Sequence, residues 1–319
     1  RTINGFNISP DLIWVKSRSD SSNHMLVDSS RGGDKYMYSN ANNAELTSSN
    51  MITFGDSDGY VMRDDGTYLN GSSRTYVAWG WRANGGTTAT NAEGATNSTV
   101  QANTKAGFSI VEFTGINSAT TATVGHGLGK APTFIIHKSV NTSAWHLVRG
   151  VPGMPVSYVR DLNPNGSPTD VSGNGGALVA PTSSVFNINN TTGIGGGGYT
   201  YVAYCWAPIE GYSKFGSYTG NGESDGPFIY TGFRPQIVLF MGYAYGIENF
   251  IFDNKRNTSN PITTYVRWGR SSAEGTHTHC DFLANGFKIR NTGGDYNGST
   301  GLFMYMAWGD VPFKYNNTH

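Results

Sequence analysis

The chain has 319 residues with 22 basic and 22 acidic side chains, and this balance lacks the basic excess that a phosphate backbone would require of a partner. Forty-three glycines leave little sequence for long helices, because Gly costs about 1 kcal/mol against Ala inside one. No apolar run approaches the roughly 20 residues that a membrane-spanning helix needs, so neither nucleic acid binding nor membrane insertion is expected.

Taken in order, residues 6–83 read as short strands bounded by turn residues: 12–18 (LIWVKSR), 24–28 (HMLVD), 35–39, 51–54, 59–63 and 74–82. Residues 84–106 (NGGTTATNAEGATNSTVQANTKA) show no hydrophobic period and read as a linker or an extended arm lying on the surface. A second unit covers 107–211, with loops expected around GVPGMPVS and NPNGSPTDVSGNGG. The third, 212–319, follows almost without a spacer.

These units repeat one another. TYVAWGW (75–81), YTYVAYCW (199–206) and LFMYMAWG (302–309) superimpose on the shared alanines Ala78, Ala203 and Ala307. Upstream, Pro10, Pro132 and Pro235 each lead a hydrophobic run, and HMLVD, WHLVR and NFIFD follow. Self-similarity at a fixed period is the signature of a repeat architecture. The reading is an all-β chain of three tandem antiparallel β-sandwiches, jelly-roll or lectin-like, with little or no helix. Its boundaries are 1–83, 84–106, 107–211 and 212–319, and each unit of roughly a hundred residues is large enough for its own core. The second and third units open on a strand ahead of the proline (FSIVEFTG; FGSYTGNG followed by FIYTGF) that the first unit lacks, so the sequence is expected to begin partway through a longer polypeptide.

LIWVKSR followed by DSSRG, GFSIVEFTG followed by VGHGLGKAP, and above all YSKFGSYTGNG…DGPF…TGFRP resemble repeat domains in virion proteins of marine tailed phages, of the cyanophage and pelagiphage type. The likeness covers essentially the whole chain. It implies a virion component made in the host cytoplasm and carried on the extracellular particle, and it brings no catalytic residues with it.

Candidate chemistry is sparse. His277 and His279 in THTHC, with Cys280 and Asp281, are a set that zinc accepts, but a structural zinc site takes four ligands and no second cluster is visible. A solvated strand edge is the expectation, with both imidazoles on one face and able to meet their copies on the axis of a trimer. Asp56 and Asp58 resemble the start of a calcium loop, yet position 12 counted from Asp56 is Thr67 where a Glu is needed. GIGGGG (193–198) leads into a strand where a nucleotide loop would lead into a helix, and so reads as a hairpin connection. HExxH does not occur, and two cysteines in different units read as reduced, buried thiols. No cofactor is expected.

The stronger signal is where the third unit departs from its siblings. At its first turn it has GYAYG, and Tyr243 with Tyr245 replace the polar residues of SRSDSSN and SVNTSA. Trp268 is the second departure. Aromatic clusters in turns mark contacts, either with a ligand such as a sugar or with a neighbouring unit or subunit. The expected function is a non-enzymatic virion structural protein, a tail-fibre or appendage module that contacts host surface glycans or other virion proteins, as a homotrimer. A capsid-surface decoration or neck protein is the first alternative and a glycan-cleaving enzyme the second.

Overall fold

Short runs of alternating apolar residues between Gly- and Asn-rich turns can bury one face only by forming sheets. The computed structural model describes residues 1–49, 51–63, 69–118, 120–143, 146–162, 166–244 and 246–310. The first unit contributes β1 (Thr2–Asn4), β2 (Leu12–Ser17), β3 (Met25–Asp28), β4 (Lys35–Tyr38), β5 (Leu46–Thr47), β6 (Ile52–Thr53), β7 (Gly59–Met62) and β8 (Tyr76–Trp81). The main sheet has the order β5-β4-β3-β2-β8, and the ribbon β1-β7-β6 accompanies it.

The second unit supplies β9 (Ala89–Asn91), β10 (Ser98–Asn103), β11 (Phe108–Thr114), β12 (Ala122–Gly125), β13 (Phe134–Ser139), β14 (Leu147–Arg149), β15 (Tyr158–Asp161), β16 (Thr169–Asp170), β17 (Val185–Ile188) and β18 (Thr200–Trp206). Its main sheet runs β16-β15-β14-β13-β18-β11-β10-β9, with the pair β12-β17. The stretch 84–106 thus adds two strands to this sheet's edge. Gln101 fixes it there by donating its amide to the Ser29 and Ser30 hydroxyls, and Val100 packs into the second unit's core.

The third unit holds β19 (Ser213–Thr219), β20 (Phe228–Tyr230), β21 (Pro235–Gly242), β22 (Asn249–Asp253), β23 (Ile262–Arg267), β24 (Gly275–Leu283), β25 (Gly286–Ile289), the one-turn helix α1 (Gly294–Asn297) and β26 (Leu302–Gly309). These strands form one sheet, β19-β26-β21-β22-β23-β24-β25-β20. It curls until its edges approach, where Lys214 Nζ on β19 donates to the Tyr230 carbonyl on β20 at 2.8 Å.

The fold is therefore all-β and sandwich-like, with four antiparallel strands in the same order in each main sheet: β4-β3-β2-β8, β15-β14-β13-β18 and β23-β22-β21-β26. Alternation gives each central strand two apolar faces. One face lies over a core confined to its own unit, with Ile13 and Val27 in the first, Ile135 and Ala203 in the second, and Val238 and Ala307 in the third. The opposite faces meet in a common core built by all three units. At its centre Trp81, Trp206 and Trp308 form a triangle of ring-centroid distances 5.6, 5.4 and 6.1 Å. The superposition on alanines is displaced by two residues in the third unit. Trp308 is the counterpart of Trp206, and Phe303 stacks on Tyr218 as Tyr201 stacks on Phe113. A shift of two preserves the face, so Ala307 still points at its own unit's core.

Buried polar pairs tie the units together. Asp28 accepts from Arg31 Nε (2.7 Å) and from the Tyr204 hydroxyl (2.7 Å) across the first and second units. Asp253 accepts from Arg256 Nε (2.7 Å) and from Trp79 Nε1 (3.2 Å) across the third and first. Between the second and third units, Arg160 donates from Nε to the Gly242 carbonyl (3.1 Å) and from Nη2 to those of Ala244 and Ile247 (3.3 Å each). Arg31→Leu should cost about 3–5 kcal/mol in chemical denaturation, because it strands the Asp28 carboxylate in the interior. Adding Asp28→Asn should return part of that loss, and an additive double variant would contradict the pairing.

Candidate interaction surface

Two of the residues singled out from sequence are packed inside the protein or at its joints. Trp268 is fully buried, its ring 5.7 Å from Trp14, its Nε1 donating to the Phe240 carbonyl (3.1 Å) and its own carbonyl accepting from the Ser39 hydroxyl. It joins the third unit to the first and is not a surface contact. Tyr243 is half-buried against the common core, its amide donating to the Leu302 carbonyl at 3.0 Å. Burial, and then the neighbouring Tyr158, raise its phenol pKa. It lies where Arg160 holds the turn from the second unit. Tyr245 lies outside the described residues.

His277 and His279 do share a face, with ring centroids 5.4 Å apart, but only His277 is exposed to solvent. His279 sinks among Phe252, Tyr265 and Tyr296, where burial pushes its pKa down to about 3. His277 stays at the rim with Nδ1 2.7 Å from the Asn291 amide. Among the described residues no group of three or more His, Cys, Asp or Glu is placed to hold a metal ion. Asp58 accepts from the amides of Gly5 (3.1 Å) and Asn7 (2.7 Å), as a turn residue does. Cys205 and Cys280 are buried and unbonded.

The surface that stands out is one the sequence reading passed over. On β20, Ile229 points into the third unit's core while Phe228 and Tyr230 face solvent, 45% and 58% exposed. Two features hold the rings there. Lys214 Nζ lies 5.1 Å from the Tyr230 ring centroid. Phe228 leans across β25 onto Gly286, where a Cβ would come within 2.1 Å of the Ile229 carbonyl oxygen and 3.0 Å of the Phe228 ring. Pairing then sets polar groups beside the aromatics. Phe228 stands opposite Lys288, and Lys288 opposite Asp281. Asp225 bridges Lys288 Nζ (3.0 Å) and Arg290 Nη1 (3.1 Å), while Arg290 Nε meets Asp281 at 2.6 Å. Hydrogen bonding and charge from Lys288 lower the Asp225 carboxyl below its ordinary pKa.

In the other units the positions that face away from the unit's own core on the matching strands are Thr2 and Asn4 on β1, and Thr123 and Gly125 on β12, the last of them covered by Asn91. Set beside TIN and ATVG, FIY carries the signal, but only once these three short strands are matched to one another. Exposed rings with a bordering row of donors and acceptors suit a ligand with apolar faces and hydroxyl edges, such as a pyranose.

The fold and this surface define an all-β scaffold with a solvent-facing aromatic strand on one unit. The chain belongs to the family described as "Domain of unknown function (DUF7483)", whose sequence profile matches residues 1–312 and so spans all three main sheets. No curated protein matches the chain, and no solved structure does.

Proposed function

We propose that the chain is a non-enzymatic virion structural module of the tail-fibre or appendage type, built of three tandem copies of one β-unit, whose third copy contacts host surface glycans. The reading in copies is supported by the common strand order and by the tryptophan triangle, to which each unit contributes one ring. The contact is carried by one observation: Phe228 and Tyr230 are exposed on a rigid strand, flanked by Lys288, Arg290, Asp225 and Asp281, where the sibling units have small residues.

The test is binding of the purified protein to host surface polysaccharide, followed by sedimentation or fluorescence. Phe228→Ala with Tyr230→Ala should weaken binding by about ten-fold or more. The same pair should leave stability within about 1 kcal/mol, because surface substitutions away from buried features cost little. Equal binding by the wild type and the double variant would sink the site. Shortened polysaccharide chains after incubation would sink the non-enzymatic reading.

A further inference from the structure

We propose that the open edge of β8 is a strand-acceptor site, which takes one further antiparallel strand of the kind that β11 and β19 provide to the other two sheets. The inference is independent of the glycan surface. In the second sheet β18 lies between β13 and β11, and in the third β26 lies between β21 and β19. In the first, β8 pairs with β2, and among the described residues no strand lies on its other side. Burial follows the pairing. Val202, Ala203 and Cys205 are fully buried, whereas Val77, Ala78 and Gly80 are only half-buried.

Parity identifies the groups on that edge. The Arg18 amide donates to the Thr75 carbonyl, and in an antiparallel ladder the residues that bond one neighbour alternate with those that bond the other. Alternate residues from Thr75 therefore face β2, which turns the N–H and C=O groups of Ala78 and Gly80 to the open side. In the second sheet the Gly115 amide donates to the Tyr199 carbonyl, and the matching residues Ala203 and Cys205 face β11. Free edges are normally guarded by a charge, a proline or a bulge. The sequence YVAWGW of β8 has no charge and no proline, and its pairing with β2 is unbroken.

The two strands in hand describe the occupant. β11 (FSIVEFT) and β19 (SKFGSYT) are seven residues long, each followed by Gly. Their sixth residues, Phe113 and Tyr218, stack on Tyr201 and Phe303 at 5.4 Å in both cases. Their third residues, Ile110 and Phe215, point into the common core. Laid on β8 in the register of β11, the first residue stands opposite Trp81 and the sixth opposite Tyr76. The partner is thus an extended segment with an apolar third residue and an aromatic sixth, rather than a second copy of β8.

A labelled synthetic peptide with the sequence of residues 107–115, GFSIVEFTG, tests this by fluorescence anisotropy against the whole protein. Saturable one-to-one binding with a rise in melting temperature is expected. The same peptide N-methylated at its Val111 position, whose N–H would face β8, should bind about ten-fold more weakly or worse, and so should one with Phe113→Ala. Ala78→Pro removes an edge N–H without touching the bonds to β2, a substitution that open edges tolerate, and should abolish peptide binding in a folded protein. No binding by the wild type would overturn the proposal. So would equal binding by the N-methylated peptide, a readout that requires no protein variant. A wild-type dimer that Ala78→Pro dissociates would overturn it in favour of β8-to-β8 pairing.

Discussion

Lowering the pH from 7 towards 4 is expected to unfold the protein cooperatively, with net uptake of protons by imidazoles. Burial lowers the pKa of His24 and His279 to about 3, and holds those of His126, His137 and His146 below the ordinary value in the same way. Their contacts are those of neutral rings. His24 Nδ1 accepts from Trp14 Nε1 at 3.1 Å, His137 Nε2 accepts from Arg149 Nε at 2.9 Å, and both ring nitrogens of His279 are enclosed without a hydrogen-bond partner among the described residues.

The sign follows from proton counts. Between the depressed folded value and the unfolded value near 6.5, the unfolded chain binds more protons than the folded one, so stability falls as the pH falls through that window. At pH 4.5, His24 and His279 each disfavour the folded state by about 3 kcal/mol, a sizeable share of the roughly 5–15 kcal/mol that holds a domain together. Glu112 and Asp161, whose carboxyl groups burial raises, act in the opposite sense and offset part of the loss. Tryptophan fluorescence against pH, with potentiometric proton uptake, checks the expectation. His279→Phe should move the midpoint to lower pH, since the ring sits among Phe252, Tyr265 and Tyr296. A midpoint below pH 3, or one that His279→Phe does not move, would contradict this account.

Trp206→Ala is expected to cost about 3–5 kcal/mol and to lower the single melting transition of all three units together. The indole is 1% exposed, stacks on Phe134 at 4.7 Å, and touches Trp81 of the first unit and Trp308 of the third. Removing it opens a cavity facing every main sheet, so no unit can keep its inner layer intact while the others melt. Calorimetry separates this from the modular alternative. In that case the variant would show a displaced transition for the second unit and unchanged ones for its neighbours.

Much of the fold was legible because strand periodicity is local. The strands expected at 12–18, 24–28, 35–39 and 59–63 correspond to β2, β3, β4 and β7 within a residue or two. The stretch 84–106 was harder, because STVQAN is six residues of weak alternation inside a polar run, and its order derives from pairing with β11 and from Gln101 reaching the first unit. Comparison of the units could place Tyr243 and Trp268 as departures but not say which neighbour each would meet. That depends on how the inner faces assemble, and the Trp14 contact that buries Trp268 bridges residues more than 250 positions apart. The aromatic pair on β20 escaped notice because FIY follows FGSYTGNG so closely that the two read as one opening segment. Only the pairing of β20 with β25 separates them.

The grip of Arg160 on the turn after β21 has an evolutionary corollary. The guanidinium bonds main-chain oxygens of residues 242, 244 and 247 and none of their side chains. A clasp of that kind is indifferent to the side chains of the residues it holds, so the exposed position Ala244 can change under selection while the attachment between neighbouring units stays fixed.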